Sequence, residues 1–218
     1  MRGGVVMALE NQLREMIARI LMAPAGGIGA ETSLASLHDS LGEAKLRLGL
    51  KHLGLKLPAG VRPANFAALC DFLDGKPAQS LRAAPRTESP QMLNSPLQGL
   101  SVGLDIQDVA GLPAAADYWE DTFYAATFAK PEIAYAAARP DPRIHFAGFW
   151  CAKEALRKCD ASFAAVDPAA TLVAHEPAGR PFLIWKTNSG EARLRHALSI
   201  SHSGSIAMAI VVDRGQKI

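Results

Sequence analysis

The 218-residue chain has few cysteines and almost no excess charge. Its three cysteines, Cys70, Cys151 and Cys159, are odd in number and lack CxxC spacing. They therefore favour free thiols in a reducing compartment over a disulfide framework or a zinc site. The formal net charge is only +2, which is too small to indicate a nucleic-acid or anionic-membrane partner.

The chain also lacks an uninterrupted hydrophobic segment near its start. Charged side chains break the apolar N-terminal stretch at Glu10, Arg14, Glu15 and Arg19, so the pattern fits neither a secretory signal nor a membrane span. We therefore expect a cytoplasmic protein that does not contact a membrane.

Hydrophobic spacing divides the chain into two domains. Residues 1–76 carry helix-period patterns, which predict a small all-α helical bundle. Residues 77–97 contain prolines and polar residues without periodicity, as is typical of a linker. In residues 98–218, strand-like runs alternate with helical segments at 117–138 and 145–160, which indicates an α+β or α/β domain.

The stretch "FWCAKEALRKC", residues 149–159, places two charged residues beside a tryptophan. Trp150, Glu154 and Lys158 lie at positions i, i+4 and i+8, so they share one stripe of a helix. A solvated surface pair would explain this spacing and would contribute a few tenths of a kcal/mol. A catalytic site is the alternative.

A second acidic residue favours the catalytic alternative. Asp105 lies within the apolar strand "VGLDIQD", where a carboxylate is costly unless it is paired or binds a metal. Asp105 and Glu154 together would suit Mg²⁺, which typically takes one or two carboxylates and phosphate oxygens. Lys158 could then meet a phosphate. The sequence thus predicts a metal-assisted phosphate site.

Five segments occur in the order of a known family. They are "GLSVGLDIQDV", "FYAATFAKPEIAYA" with Glu132, "HFAGFWCAKEALRKC", "AGRPFLIW" and "HALSISHSGSIAMAIVV". In order and spacing, residues 99–218 resemble the 4′-phosphopantetheinyl transferases of the short, holo-acyl-carrier-protein synthase type. The resemblance implies the α+β fold of that family for the C-terminal half.

The resemblance also implies a reaction. A serine hydroxyl of an acyl carrier protein attacks the β-phosphate of coenzyme A, and adenosine 3′,5′-bisphosphate leaves. Asp105 and Glu154 would hold Mg²⁺, and Lys158 would support the transferring phosphate. Glu154 would take the serine proton, directly or through a metal-bound water. The implied coenzyme A contacts are Lys153, Lys158, His202, Gly179 and Pro181. The family further implies a homotrimer, with coenzyme A between subunits.

Two positions depart from the family pattern. Asp108 stands where the third acid is usually a glutamate, and Phe149 stands where an arginine is common. These departures keep open an alternative, in which the chain is a non-enzymatic carrier or scaffold protein with a degenerate transferase domain.

The N-terminal half resembles an acyl carrier protein at "LHDSL", residues 37–41. The resemblance makes Ser40 the candidate attachment site for phosphopantetheine, so the modified carrier could be in cis or in trans. The following helix is basic, however, with Lys45, Arg47 and Lys51 against Glu43. The alternative is a carrier-like bundle in which Ser40 is merely a helix N-cap.

Overall fold

The structure, a computed structural model, describes residues 2–58, 61–75, 99–213 and 215, without the side chains of residues 2–7 and Ser40. The chain forms two compact units, residues 1–93 and 94–218. The predicted linker, 77–97, lies outside the described residues. Within the described ranges, every helix is too short or too polar to cross a membrane.

The first unit contains the predicted helices. They are α1 (Arg2–Leu21), α2 (Ser40–His52) and α3 (Phe66–Leu73). Apolar faces of these helices bury a shared core that includes Ile17, Leu50, Phe66 and Leu69, because each amphipathic helix needs a partner for its apolar stripe. The helical prediction is confirmed here, while the acyl-carrier identity of the unit stays a prediction.

Asp39, not Ser40, caps α2. The Asp39 carboxylate accepts a hydrogen bond from the backbone N–H of Gly42 at 2.6 Å, which satisfies one of the unpaired donors of the first turn. Ser40 is the first helical residue, so the interpretation of Ser40 as the N-cap is wrong. The side chain of Ser40 lies outside the description.

The described residues of the second unit form six strands and three α-helices. The strands are β1 (Ser101–Asp108), β2 (Thr171–His175), β3 (Pro181–Thr187), β4 (Gly190–Arg193), β5 (Ala197–Ser203) and β6 (Ile206–Asp213). The helices are α4 (Thr122–Thr127), α5 (Lys130–Ala137) and α6 (Pro142–Cys159). One sheet has the order β1-β6-β5 and the other β2-β3-β4. All pairings between these strands are antiparallel, so the α+β prediction is confirmed.

The helices differ from the sequence prediction in their boundaries. The segment predicted at 117–138 is two helices, because a new helix begins after Ala129 and the Glu132 carboxylate accepts from the Ala129 N–H. Helix α6 begins at Pro142 rather than at 145, where proline is favoured in a first turn. Strands β2 and β4 were not predicted.

Helix α6 crosses the β1-β6-β5 sheet obliquely. Near its start, a β-carbon on Gly148 would lie 2.9 Å from the Ile200 side chain on β5. Near its end, Gly103 on β1 lies so close that a β-carbon there would be 1.9 Å from the Ala155 carbonyl oxygen. Residues 146–156 of α6 are buried throughout.

Candidate active site

Asp105 and Lys158 meet where the end of α6 approaches β1. The Lys158 ammonium lies 2.7 Å from Asp105 Oδ1 and also donates to the Leu104 carbonyl oxygen at 3.1 Å. Asp105 is only 8% exposed, whereas the Lys158 side chain is 52% exposed. The carboxylate is therefore buried, while the ammonium that pairs with it is accessible to a phosphate from solvent.

Glu154 lies one turn before Lys158 on the same stripe of α6, so it faces the same edge of the sheet. It is 6% exposed, and its Oε1 accepts from Arg157 at 2.9 Å. Trp150, the next residue of this stripe, is fully buried. The interpretation of Glu154 and Lys158 as a solvated surface pair is therefore wrong.

The donor set at this edge fits Mg²⁺. Asp105 and Glu154 offer carboxylate oxygens, the ligands that this cation prefers, and they come from adjacent elements. Lys158 contacts one carboxylate and Arg157 the other, and such hydrogen-bonded partners hold ligating side chains in place. The four groups carry no net charge, so a bound dication would leave two positive charges for an anionic substrate to match.

Lys153 lies on a different side of α6, in the interior. It is 1% exposed, and its ammonium donates to Glu132 Oε2 at 2.8 Å and to the carbonyls of Pro168 and Thr171. An ammonium has three donors, and all three have protein acceptors. Burial lowers the pKa of Lys153, while the Glu132 carboxylate opposes this shift. The geometry contradicts the predicted contact of Lys153 with coenzyme A.

Glu132, the carboxylate partner of Lys153, had no role predicted from the sequence. It is fully buried; one carboxylate oxygen accepts from Ala129 N–H and Lys153, and the other from the Val173 N–H at 2.9 Å. Glu132 therefore joins α5, α6 and β2 and supports the helix that carries Glu154.

Asp108 and Arg143 hold the loop after β1 in place. Asp108 accepts from the Ala110 N–H at 2.9 Å, so its carboxylate caps the turn after β1. Arg143, at the start of α6, donates to three carbonyls of the same turn, at Val109, Ala110 and Leu112. Only proximity in the fold reveals this role, because Arg143 lies more than 30 residues from its acceptors.

His202 lies at the opposite end of α6 from Lys158. Its exposed imidazole is 6.2 Å from the ring of His145, between centroids. His145 and Lys158 are 13 residues apart, or about 20 Å at about 1.5 Å per residue. Burial lowers the pKa of His145, and the neighbouring His202 adds to this shift. The chain therefore does not bring His202 together with Asp105 and Lys158.

Gly179 and Pro181 belong to the turn between β2 and β3. Gly179 has a φ of +85°, the left-handed conformation that glycine adopts most readily. Pro181 begins β3 and lines a cavity of about 800 Å³. Arg180, Arg193 and Arg195 also line it, and Arg193 pairs with Glu176 and Arg195 with Asp213.

All three cysteines are free thiols. The thiols of Cys151 and Cys159, both buried on α6, contact carbonyl oxygens of β6 and β1, at Ala207 and Ser101. Burial raises the pKa of Cys151, which keeps this thiol uncharged beneath Asp105.

A family model described as "4'-phosphopantetheinyl transferase superfamily" matches residues 101–211. The chain belongs to this superfamily. The matched residues contain Asp105, Glu154, Lys158 and His202 and lie entirely within the second unit. The second unit is therefore a 4′-phosphopantetheinyl transferase domain, and the chain is an enzyme of this class.

Named relatives align with the transferase domain. A holo-[acyl-carrier-protein] synthase of Syntrophus aciditrophicus (strain SB) is 31% identical over 122 residues, covering 53% of this chain and 95% of that protein. The structure of a Chronobacterium ammoniagenes ACPS–CoA complex is 27% identical, covering 54% of this chain and 98% of that one, with a TM-score of 0.44. A holo-(acyl-carrier-protein) synthase from Bacillus anthracis, solved with CoA (3′,5′-ADP), is 26% identical, covering 53% and 96%, with a TM-score of 0.41.

Proposed function

We propose that this transferase moves the 4′-phosphopantetheine arm of coenzyme A to a serine of an acyl carrier protein, with Mg²⁺ as cofactor. The observation that carries the proposal is the Asp105–Lys158 pair at one sheet edge, with the buried Glu154 one turn before Lys158 on α6, all within the matched residues. The name of the Syntrophus relative, matched over 95% of its length, supports the carrier as acceptor.

Charge at the site suits a diphosphate. Asp105 and Glu154 balance Lys158 and Arg157, so a bound dication adds an excess of two positive charges that the pyrophosphate of coenzyme A would match. When bound, Mg²⁺ supplies neutralisation of the charge that builds on the phosphoryl oxygens. Asp105 and Glu154 would hold it, and Lys158 would donate to a phosphate oxygen.

Bond making and breaking are then simple. The serine oxygen forms a bond to the β-phosphorus, and the bond from that phosphorus to the bridging oxygen breaks. Glu154 takes the serine proton as general base, and adenosine 3′,5′-bisphosphate leaves. The arginine-lined cavity beside Pro181 and the exposed His202 are the proposed contacts for the remaining parts of coenzyme A, while Lys153 positions α6 from the interior.

Replacing the proposed base tests the reaction. Wild-type protein, incubated with coenzyme A, Mg²⁺ and the apo form of a bacterial acyl carrier protein, should add one phosphopantetheine arm to that carrier, read as intact mass. Glu154→Gln should slow transfer at least about a hundredfold, because a positioned base typically contributes 10²–10⁴-fold. Glu191→Gln, an exposed change on β4, should keep the wild-type rate. Equal rates for all three proteins would remove Glu154 from the chemistry, and no transfer by the wild type would contradict the proposed function.

The first unit is proposed as a divergent carrier that the enzyme modifies at Ser40. Asp39 already provides the N-cap of α2, so capping does not explain Ser40. A carrier in the same chain would also present its serine at high effective concentration. The same incubation without added carrier tests this proposal. The wild-type chain and Ser36→Ala should each gain one phosphopantetheine arm, whereas Ser40→Ala should gain none. An unmodified wild-type chain would leave only carriers in trans.

The proposed assembly is a homotrimer, and an exposed apolar sheet face supports it. On the side of the β1-β6-β5 sheet away from α6, Leu104, Ile106 and Met208 lie exposed, and Ile106 pairs directly with Met208. Val102 and Ile206 extend this face to both ends of the strand pair. Large contiguous apolar patches mark interaction surfaces, and further copies of the same chain are the proposed occupants.

A charge in the centre of this face should separate the copies. Ile106 is 57% exposed in one chain, so Ile106→Glu should fold normally but leave an unpaired carboxylate in any interface formed there. Light scattering during size-exclusion chromatography should give three times the mass of one chain for the wild type and a single-chain mass for the variant. Trp119→Glu, at an exposed aromatic outside the sheet, is the matched control. A monomeric wild type would refute the assembly.

A further inference from the structure

The second unit contains a group of potential metal ligands that does not include the proposed Mg²⁺ residues. Asp160 follows the last residue of α6, His196 precedes β5, and Asp213 ends β6. One ligand atom from each lies within 4.8 Å of the others. These three residues, called here the Asp-His-Asp cluster, come from segments that are distant in sequence and converge at one point.

His196 supplies the second, independent observation. Its side chain is 4% exposed, and neither ring nitrogen has a hydrogen-bond partner among the described residues. Buried polar groups are normally hydrogen-bonded, because an unmet group costs about 1–3 kcal/mol. The ring packs edge-on against Phe163, with centroids 5.9 Å apart, so it is held in place without a polar partner.

The distances in the cluster suit a metal better than a hydrogen bond. His196 Nε2 lies 3.4 Å from Asp160 Oδ2 and 3.8 Å from Asp213 Oδ2, beyond the usual hydrogen-bond range of about 2.7–3.2 Å. Tetrahedral bonds of about 2.0–2.1 Å place neighbouring zinc ligands about 3.3 Å apart. A small shift of the carboxylates would close that geometry, and a fourth position would remain for water.

Neighbouring groups already orient the two carboxylates. Asp160 Oδ1 accepts from the Ser162 N–H and hydroxyl at 2.9 and 2.7 Å, which turns Oδ2 towards the imidazole. Asp213 Oδ1 accepts from Gly215 N–H at 3.1 Å, and Arg195 donates to both oxygens of Asp213. Arg195 is half exposed, so it can stay on Oδ1 when Oδ2 binds a metal.

We infer that Asp160, His196 and Asp213 form a second metal site, which binds a first-row divalent cation such as Zn²⁺. One imidazole and two carboxylates form a donor set that suits Zn²⁺, whereas Mg²⁺ takes oxygen ligands alone. The site joins the ends of α6 and β6 to the segment before β5. Because the second ring nitrogen, Nδ1, has no acceptor to orient it in the part of the chain that the structure describes, affinity should be tenfold to a hundredfold below that of a fully supported site.

Titration of the intact chain with Zn²⁺, after chelator treatment and in excess Mg²⁺, tests the inference. Calorimetry should show one Zn²⁺ per chain, and Co²⁺ in its place should give the intense visible bands of tetrahedral coordination. His196→Leu and the more accessible Asp160→Asn should each weaken binding at least tenfold and remove those bands. His202→Ala, which removes an exposed imidazole elsewhere, should change neither.

Zn²⁺ and Co²⁺ binding are measured without an enzymatic readout, so this test can fail independently of the proposed transferase activity. Unchanged Zn²⁺ affinity in both cluster variants would place the ion elsewhere and overturn the inference. No binding by the wild type would also overturn it, and would leave His196 as an imidazole shared between two aspartates. Asp160→Asn keeps the test valid if His196→Leu does not fold.

Discussion

Glu132→Gln should lower the free energy of unfolding of the transferase domain by about 3–5 kcal/mol, the usual cost of removing one partner from a buried ion pair. The amide would still accept from one neighbour, but it would leave the Lys153 ammonium without its counterion in a site that is 1% exposed. The two carbonyls that also accept from Lys153 carry no full charge and cannot replace the carboxylate.

Denaturant unfolding, followed by tryptophan fluorescence, measures the stability of the transferase domain. Trp119, Trp150 and Trp185 are the only tryptophans of the chain and all belong to residues 94–218. Adding Lys153→Met to Glu132→Gln removes the stranded charge and should recover part of the loss. Glu176→Gln, at the exposed pair with Arg193, should leave the midpoint unchanged. A Glu132→Gln midpoint equal to wild type would contradict the buried-pair account.

Gly103→Ala should also destabilise the domain, at or beyond the upper end of the range of about 1–3 kcal/mol for overpacking. The new β-carbon would lie 1.9 Å from the Ala155 carbonyl oxygen and 2.7 Å from the Cys159 nitrogen. Both are backbone atoms of α6, so the clash cannot be relieved by a side-chain rotation. Strand β1 would have to move away from the helix, and Asp105, two residues on, would move with it.

Gly148→Ala provides the matched comparison for this change. Its β-carbon would meet only the Ile200 Cγ2 at 2.9 Å, a methyl group that can shift. We expect a small loss of stability and near-normal transfer for Gly148→Ala, against loss of both for Gly103→Ala. The same unfolding and mass measurements apply, and equal stability of the two variants would show that β1 and α6 are not in the close contact described here.

Sequence reasoning succeeded where a property depends on nearby residues. The stripe of Trp150, Glu154 and Lys158 follows from helical periodicity, and the α+β organisation follows from alternating helix and strand patterns. Strands β2 and β4 were missed because each is short, at five and four residues, and β4 is exposed along its whole length, without an apolar alternation.

Sequence reasoning failed where a property depends on distant partners. Lys153 and Glu154 are adjacent charged residues of the same motif, and nothing in the sequence separates their roles. The acceptors of Lys153 are 15, 18 and 21 residues away, so only the folded chain shows that they enclose it. The same holds for Asp160, His196 and Asp213, which share no local pattern. Asp39 and Ser40 are both good capping residues, so their order in the chain alone could not decide which one caps α2.

The interior contacts of Lys153 fix the rotation of α6 about its own axis. Consecutive residues point about 100° apart around a helix, so anchoring Lys153 to fixed acceptors in the interior sets the direction in which Glu154 points. A rotation of about 10° would move a carboxylate about 6 Å from the axis by about 1 Å, and such a displacement can cost about a hundredfold in rate. The direction of the proposed general base is therefore set by Lys153, a buried residue on another side of the helix.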